Sequence, residues 1–188
     1  MSSIRLGGTV PGFFNHSDKS GKQYSLSDTD IKAIAPECKI ITYNQIHKMN
    51  SIDDLFEGSD CIALLYHVEG LTSGHWVCLV RDIPARKISY FDSYGEIPDE
   101  VLDHVSRKVR QVCHQNRAYL SELILDSAYI CDYNEKQLQK LSPGVNTCGR
   151  FVAARMLNKD KSNKQFSAMF GADPDAEVIE YTNPLMPI

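Results

Sequence analysis

The tightest constraint on the fold is a trio of short apolar segments joined by brief polar connections. Residues 61–67 (Cys-Ile-Ala-Leu-Leu-Tyr-His) and 76–80 (Trp-Val-Cys-Leu-Val) are almost continuously apolar. Segments of that kind predict strands covered on both faces, since a strand with one wet face alternates apolar and polar residues. A third, Lys87 to Phe91, follows a turn at Ile83-Pro84-Ala85-Arg86. The short connections favour antiparallel neighbours, because parallel pairing needs a crossover of a dozen or more residues.

Helices to cover such a sheet are signalled on either side of it. Ser27-Asp28-Thr29-Asp30 resembles a capping box before a short helix carrying Ile31 and Ile34, and Ser51-Ile52-Asp53-Asp54 repeats the signature. Between them, residues 39–43 read as a strand. Pro98-Asp99-Glu100 opens a predicted helix with acidic residues in its first turn, and Val101, Val105, Val109 and Val112 give it one apolar face. Residues 123–130 read as another strand and 133–147 as a polar loop. Cys148 to Asn158 is a helix with Phe151, Val152 and Met156 turned inward. Residues 1–23, with Gly7-Gly8 and Pro11-Gly12, read as an irregular lead-in, and residues 171–188 as an acidic tail punctuated by Pro184 and Pro187. A chain of 188 residues that is 43% hydrophobic can bury one sizeable core. The expectation is a single α+β domain over 1–188, built on a mixed, largely antiparallel central sheet flanked by helices.

Composition narrows the functional classes. No apolar run is long enough to span a bilayer, and the N-terminus carries no apolar signal region, so no membrane partner is expected. A net charge of −4 gives no electrostatic reason for strong nucleic-acid binding. The cluster Arg107-Lys108-Val109-Arg110 reads as the solvated face of a helix. Six cysteines without a secretion signal point to free thiols in a reducing compartment, and no Cys-x-x-Cys spacing suggests a metal site.

The chemistry lies in three blocks. Cys148 stands where a loop turns into a helix, within Asn146-Thr147-Cys148-Gly149-Arg150. Upstream are Gly74-His75-Trp76 and Phe91-Asp92-Ser93-Tyr94-Gly95. A cysteine attacks as thiolate, which the unpaired N–H groups of a helix N-terminus and an imidazolium partner both favour. The same N–H groups can stabilise an oxyanion, and Gly149 would let a substrate backbone approach closely. On Cys148 and Gly149 alone, a catalytic and a structural reading stand level. If strands 76–80 and 87–91 form a hairpin, however, His75 falls beside Asp92. A carboxylate there would fix the imidazole tautomer and support its charge.

In that order, His, Asp, Cys, the three blocks resemble the superfamily of adenovirus-type (adenain) and ubiquitin-like-protein proteases. The similarity is closer to maturation proteases of double-stranded DNA viruses, including virophages, and spans roughly residues 24–182. It implies an adenain-like fold with the nucleophile at a helix N-terminus, and assigns Cys148 as nucleophile, His75 as base and Asp92 as its orienter. The superfamily also carries a glutamine six or seven residues before the cysteine, whose amide completes the oxyanion hole. Here that spacing falls on Ser142 and Leu141. Gln139 is the nearest substitute, with Gln137 behind it. Trp76 resembles the aromatic residue that follows the histidine in these enzymes.

The resemblance implies a cysteine endopeptidase that needs no cofactor or metal. It would act as a monomer on viral capsid or core precursors, cutting after Gly-containing sequences, in the virion or host cytoplasm. Nucleic acid enters only as an activator, for which the acidic balance gives no support. The alternatives are a ubiquitin-like-protein isopeptidase, an acetyltransferase using the same triad, and a non-catalytic binding module.

Overall fold

The computed structural model describes residues 21–71 and 73–186. Its centre is one five-stranded sheet in the order β1 (Lys39–Thr42), β2 (Cys61–His67), β3 (Gly74–Asp82), β4 (Lys87–Asp92), β5 (Ile130–Tyr133). The two inner pairings, β2 with β3 and β3 with β4, are antiparallel. Both outer strands run parallel to their neighbours. The sheet is thus mixed, with the antiparallel centre that the three apolar runs predicted.

Those runs are apolar on both faces because both faces are covered. Ile62, Leu64, Tyr66, Val77, Leu79, Ile88 and Tyr90 alternate onto one side, where they meet Tyr43, Ile46, Leu55, Val101 and Leu120. Cys61, Ala63, Trp76, Cys78 and Phe91 take the other side, against Phe151, Val152, Ala154 and Phe166. Each fully buried large apolar side chain contributes about 1.5–3 kcal/mol, so the doubly covered strands are the rigid part of the molecule.

Among the described residues, seven α-helices surround the sheet: α1 (Asp28–Ile34), α2 (Ile52–Leu55), α3 (Arg107–Val112), α4 (Tyr119–Leu125), α5 (Cys148–Leu157), α6 (Asn163–Ser167) and α7 (Pro174–Thr182). Capping boxes form at Ser27, Ser51 and Ser162, the first two as the sequence signature indicated. Helix α5 lies against β3, with α1 and α7 on its other sides. It is buried from Cys148 to Met156. Even its two arginines are buried, and they are hydrogen-bonded. Arg150 donates to Thr182 Oγ1 and Asn183 Oδ1, and Arg155 to Asn163 Oδ1 and the Asn158 carbonyl.

Three expectations give way. The helix predicted from Pro98 through Val112 is two pieces, a 3-10 turn over Glu100–His104 and α3. Ser106 is extended, and its hydroxyl accepts the Val109 N–H, offering the backbone an alternative to an unbroken helix. The valine stripe therefore splits, with Val101 and Val105 buried and Val112 60% exposed. Residues 123–130 do not form one strand. Leu120 and Ile124 pack at helical spacing in α4, and the chain enters the sheet only at Ile130. The segment from Gly171, expected as a tail, carries α7, with Asp173 as N-cap and Pro174 at its first position. Of the expected lead-in, all but residues 21–23 lies outside the described residues.

Candidate active site

The β3–β4 hairpin sets the first two groups. Val77 is the register partner of Asp92, and His75 lies two residues earlier on β3. That diagonal offset is close enough for side chains to meet across the ladder. His75 Nε2 and Asp92 Oδ2 are 3.0 Å apart, and Asp92 is fully buried. The other carboxylate oxygen accepts the Tyr94 N–H at 2.7 Å, while Asn134 brackets the Asp92 backbone by accepting its N–H. Tyr94 then stacks on the imidazole, with centroids 4.9 Å apart. The ring is thus held through Nε2 at its edge and by Tyr94 on one face.

Gly74, immediately before His75, is fixed by sterics. A Cβ there would lie far inside contact distance of the Tyr66 carbonyl oxygen. Gly95 closes the turn after Asp92 with φ +82°, and its α-carbon packs against the backbone of residues 135–137.

Cys148 is the first residue of α5 and lines the same cavity as His75. Burial works against charge on His75, but Asp92 and the Cys148 contact outweigh it. Its pKa lies well above that of free imidazole. Thr147, a residue type that often caps helices, makes no capping bond to α5.

Gln139 approaches from the loop before α5. Its Oε1 accepts from Ser93 Oγ at 2.8 Å, and its Nε2 donates to the Val145 carbonyl at 3.0 Å. Both its N–H and that of Leu138 donate to the Ser93 carbonyl. Gln139 is buried and lines the same cavity as Cys148; Leu141 and Ser142 also line it but are exposed, and Gln137 is exposed and does not. The extra loop length is taken up by a Ser142–Val145 turn with Gly144 at φ +82°.

His75, Cys148, Gln139 and Tyr94 open onto a cavity of about 470 Å³. Glu96 stands in its wall, and burial, reinforced by Asp92, pushes its carboxyl pKa up. A second cavity of about 650 Å³ shares Ser25, Ser73, Gly74 and Asn146 in its lining and so adjoins the first.

Gly149 corrects the sequence reading. A Cβ there would come within 2.9 Å of Leu26 Cβ and 3.2 Å of Trp76 Cδ1. The glycine makes room for core packing, not for a substrate backbone. Trp76 is buried, and its indole N–H donates to the Leu26 carbonyl at 3.0 Å, tying the segment before α1 to the site. Sequence reasoning also missed Asp175 of α7. Fully buried, it accepts from Thr147 Oγ1 at 2.5 Å and from the Lys140 N–H at 3.1 Å. The Asp173-Pro174 pair, a helix-start signal, marked its element.

Among the described residues, no helix is long and apolar enough to cross a membrane, and no cluster of three or more metal-ligating side chains occurs. All six cysteines are free thiols.

Comparison with known proteins places this geometry. Protein V9 of Sputnik virophage, itself uncharacterized, is 32% identical over 139 residues, covering 73% of this chain and 78% of the relative. The ASFV pS273R protease crystal structure matches with a TM-score of 0.50 at 14% identity, covering 91% of this chain and 71% of that one, a likeness of fold. A structure of the SUMO protease Ulp1 matches more loosely, with a TM-score of 0.41 at 17% identity over 88% of this chain and 81% of that one. Residues 12–152 match the Ulp1 protease family, C-terminal catalytic domain. With that match spanning most of the chain around a cysteine on a helix N-terminus, this protein belongs to the Ulp1 protease family and is a cysteine protease.

Proposed function

We propose that the chain is an endopeptidase working through Cys148, His75 and Asp92, and that it processes viral capsid or core precursors. The observation that carries the reading is the buried His75–Asp92 hydrogen bond of 3.0 Å, with Cys148 at the start of α5 opening onto the same cavity as His75. The raised imidazole pKa favours the imidazolium that must face a thiolate at neutral pH. Cys148 Sγ attacks the scissile carbonyl carbon, and the carbonyl oxygen takes up the negative charge. The Cys148 backbone N–H and the Gln139 amide hold that oxyanion. An amide nitrogen has two N–H donors, and the bond to Val145 uses one of them. His75 then gives its proton to the departing amine, leaving a thioester on Cys148. Deprotonated again, it activates the water that releases the acyl group.

The resemblance supports cleavage after Gly-containing sequences, and the two adjoining cavities leave room for an extended peptide beside Cys148. The virophage relative supports the viral setting and a place of action in the virion or host cytoplasm. The deciding experiment incubates the purified chain with capsid and core precursors and maps new N-termini. Cys148→Ala should abolish every new terminus while leaving the circular-dichroism spectrum unchanged. Normal cleavage by that variant would refute the mechanism. Processing of a ubiquitin-like modifier alone would refute the substrate class.

A further inference from the structure

The loop between Gln139 and Cys148 holds both proposed oxyanion donors, so its shape sets the distance between them. Asp175 reaches that loop from α7, 27 positions beyond Cys148 in the chain. One of its oxygens accepts the Lys140 N–H and the other the Thr147 hydroxyl, which are the first and last residues of the loop. The bond to Thr147 has a second effect. A threonine at the residue preceding a helix commonly turns its hydroxyl onto the N–H groups of the first turn. Here that hydroxyl is committed to Asp175, and α5 begins without a side-chain cap.

We infer that Asp175 is a positioning residue for the oxyanion site. Its carboxylate pins both ends of the 140–147 loop and so sets the spacing between the Gln139 amide and the Cys148 N–H. The inference rests on the proposed roles of Cys148 and Gln139. Asp175 touches neither His75 nor Asp92 through any of these bonds. Its loss should therefore weaken binding of a tetrahedral species and spare the reactivity of the thiolate. A residue that merely held the fold together would not separate the two.

The test uses the full chain and two probes. Iodoacetamide reads the Cys148–His75 pair, because alkylation needs a thiolate but no oxyanion donor. The aldehyde acetyl-Ala-Gly-glycinal adds reversibly to the thiol as a hemithioacetal, and its affinity, read as protection of Cys148 from alkylation, depends on the donors. With Asp175→Ala, aldehyde affinity and kcat should both fall about 10- to 100-fold, below the full effect of deleting a donor. KM and the alkylation rate between pH 5 and 9 should stay within about twofold of wild type. Asp175→Asn, which can still bridge the two groups, should recover most of the loss. Thr147→Val provides a second route, and its effect should not add in full to that of Asp175→Ala, since the Thr147–Asp175 bond is lost in both.

Aldehyde affinity unchanged in the folded variants, alkylation falling in step with it, an Asn variant no better than Ala, or multiplicative losses in the double variant would each overturn the inference. If aldehyde does not protect even the wild-type chain, the oxyanion reading itself falls. If wild type and both variants are protected equally, only the role of Asp175 falls.

Discussion

The two halves of the proposed catalytic arrangement are held by different physics. His75 and Asp92 sit on the β3–β4 hairpin, where six register pairs and apolar cover on both faces dictate the backbone. Cys148 and Gln139 flank an irregular loop fixed by polar contacts drawn from far along the chain. Asp175 grips both its ends, the Lys22 carbonyl accepts the Asn146 N–H at 2.7 Å, and the Gln23 carbonyl accepts from the Asn146 side chain. The hairpin is a local object with many redundant bonds. The loop depends on a few buried polar atoms, each costly to leave unpaired. The proposed base is thus built to be rigid, and the proposed oxyanion donors are open to adjustment by distant residues.

Substitutions can break that contrast at either end. The largest loss is expected from Asp92→Ala, which leaves the imidazole without its orienting carboxylate. By analogy with a serine-protease triad, kcat should fall about 10⁴-fold, and the fast alkylation of Cys148 should disappear with it. Residual alkylation at the wild-type rate would show that the hairpin carboxylate is dispensable. Gln139→Ala acts on the loop side. It should lower kcat about 10²-fold with little change in KM, while alkylation of Cys148 stays fast. A parallel loss of alkylation would mean that the two halves are not separable.

Gly74→Ala tests the rigidity of the hairpin itself. The new methyl group meets backbone, which cannot swing aside, so the cost should be about 3 kcal/mol. Thermal denaturation should show a Tm lowered by roughly 6–12 °C. An unchanged Tm would show that the strand can yield.

The smallest effect concerns pH. His75 holds its proton more tightly folded than unfolded, so its contribution to stability is complete below the free imidazole pKa of about 6.5. That contribution drains away as pH rises from there through the raised folded value. Urea unfolding between pH 6 and 9 should show stability declining with pH in wild type relative to His75→Gln. Equal slopes in the two proteins would contradict the ion-pair picture.

What the sequence revealed follows the same division. Residues 61–67, 76–80 and 87–91 declared their strands because double burial writes a continuous apolar run. The hairpin then brought His75 and Asp92 together by register alone. The loop side was legible only in part. Cys148 stood out at its helix start and Gln139 was reached by resemblance, but nothing near either names Asp175. A buried carboxylate that receives bonds from residues 28 and 35 positions away leaves no local pattern. Gly149 misled because a glycine next to a nucleophile suits a substrate groove and a crowded core equally well. Only the positions of Leu26 and Trp76 separate those cases. Residues 123–130 misled for a third reason. Leu123-Ile124-Leu125 is too short a run to distinguish a buried strand from one face of a helix.

The indole of Trp76 belongs to the only tryptophan in the chain, packed beside Gly149 and bonded to the Leu26 carbonyl. Intrinsic fluorescence excited at the red edge of protein absorption therefore comes from one point, a residue away from His75 and next to the start of α5. Any event that shifts that helix end, whether acylation of Cys148, entry of a peptide or detachment of the segment before α1, is reported by unlabelled protein against no background from other indoles. The packing that closes the core under Cys148 thus also supplies an optical gauge of events at that helix end.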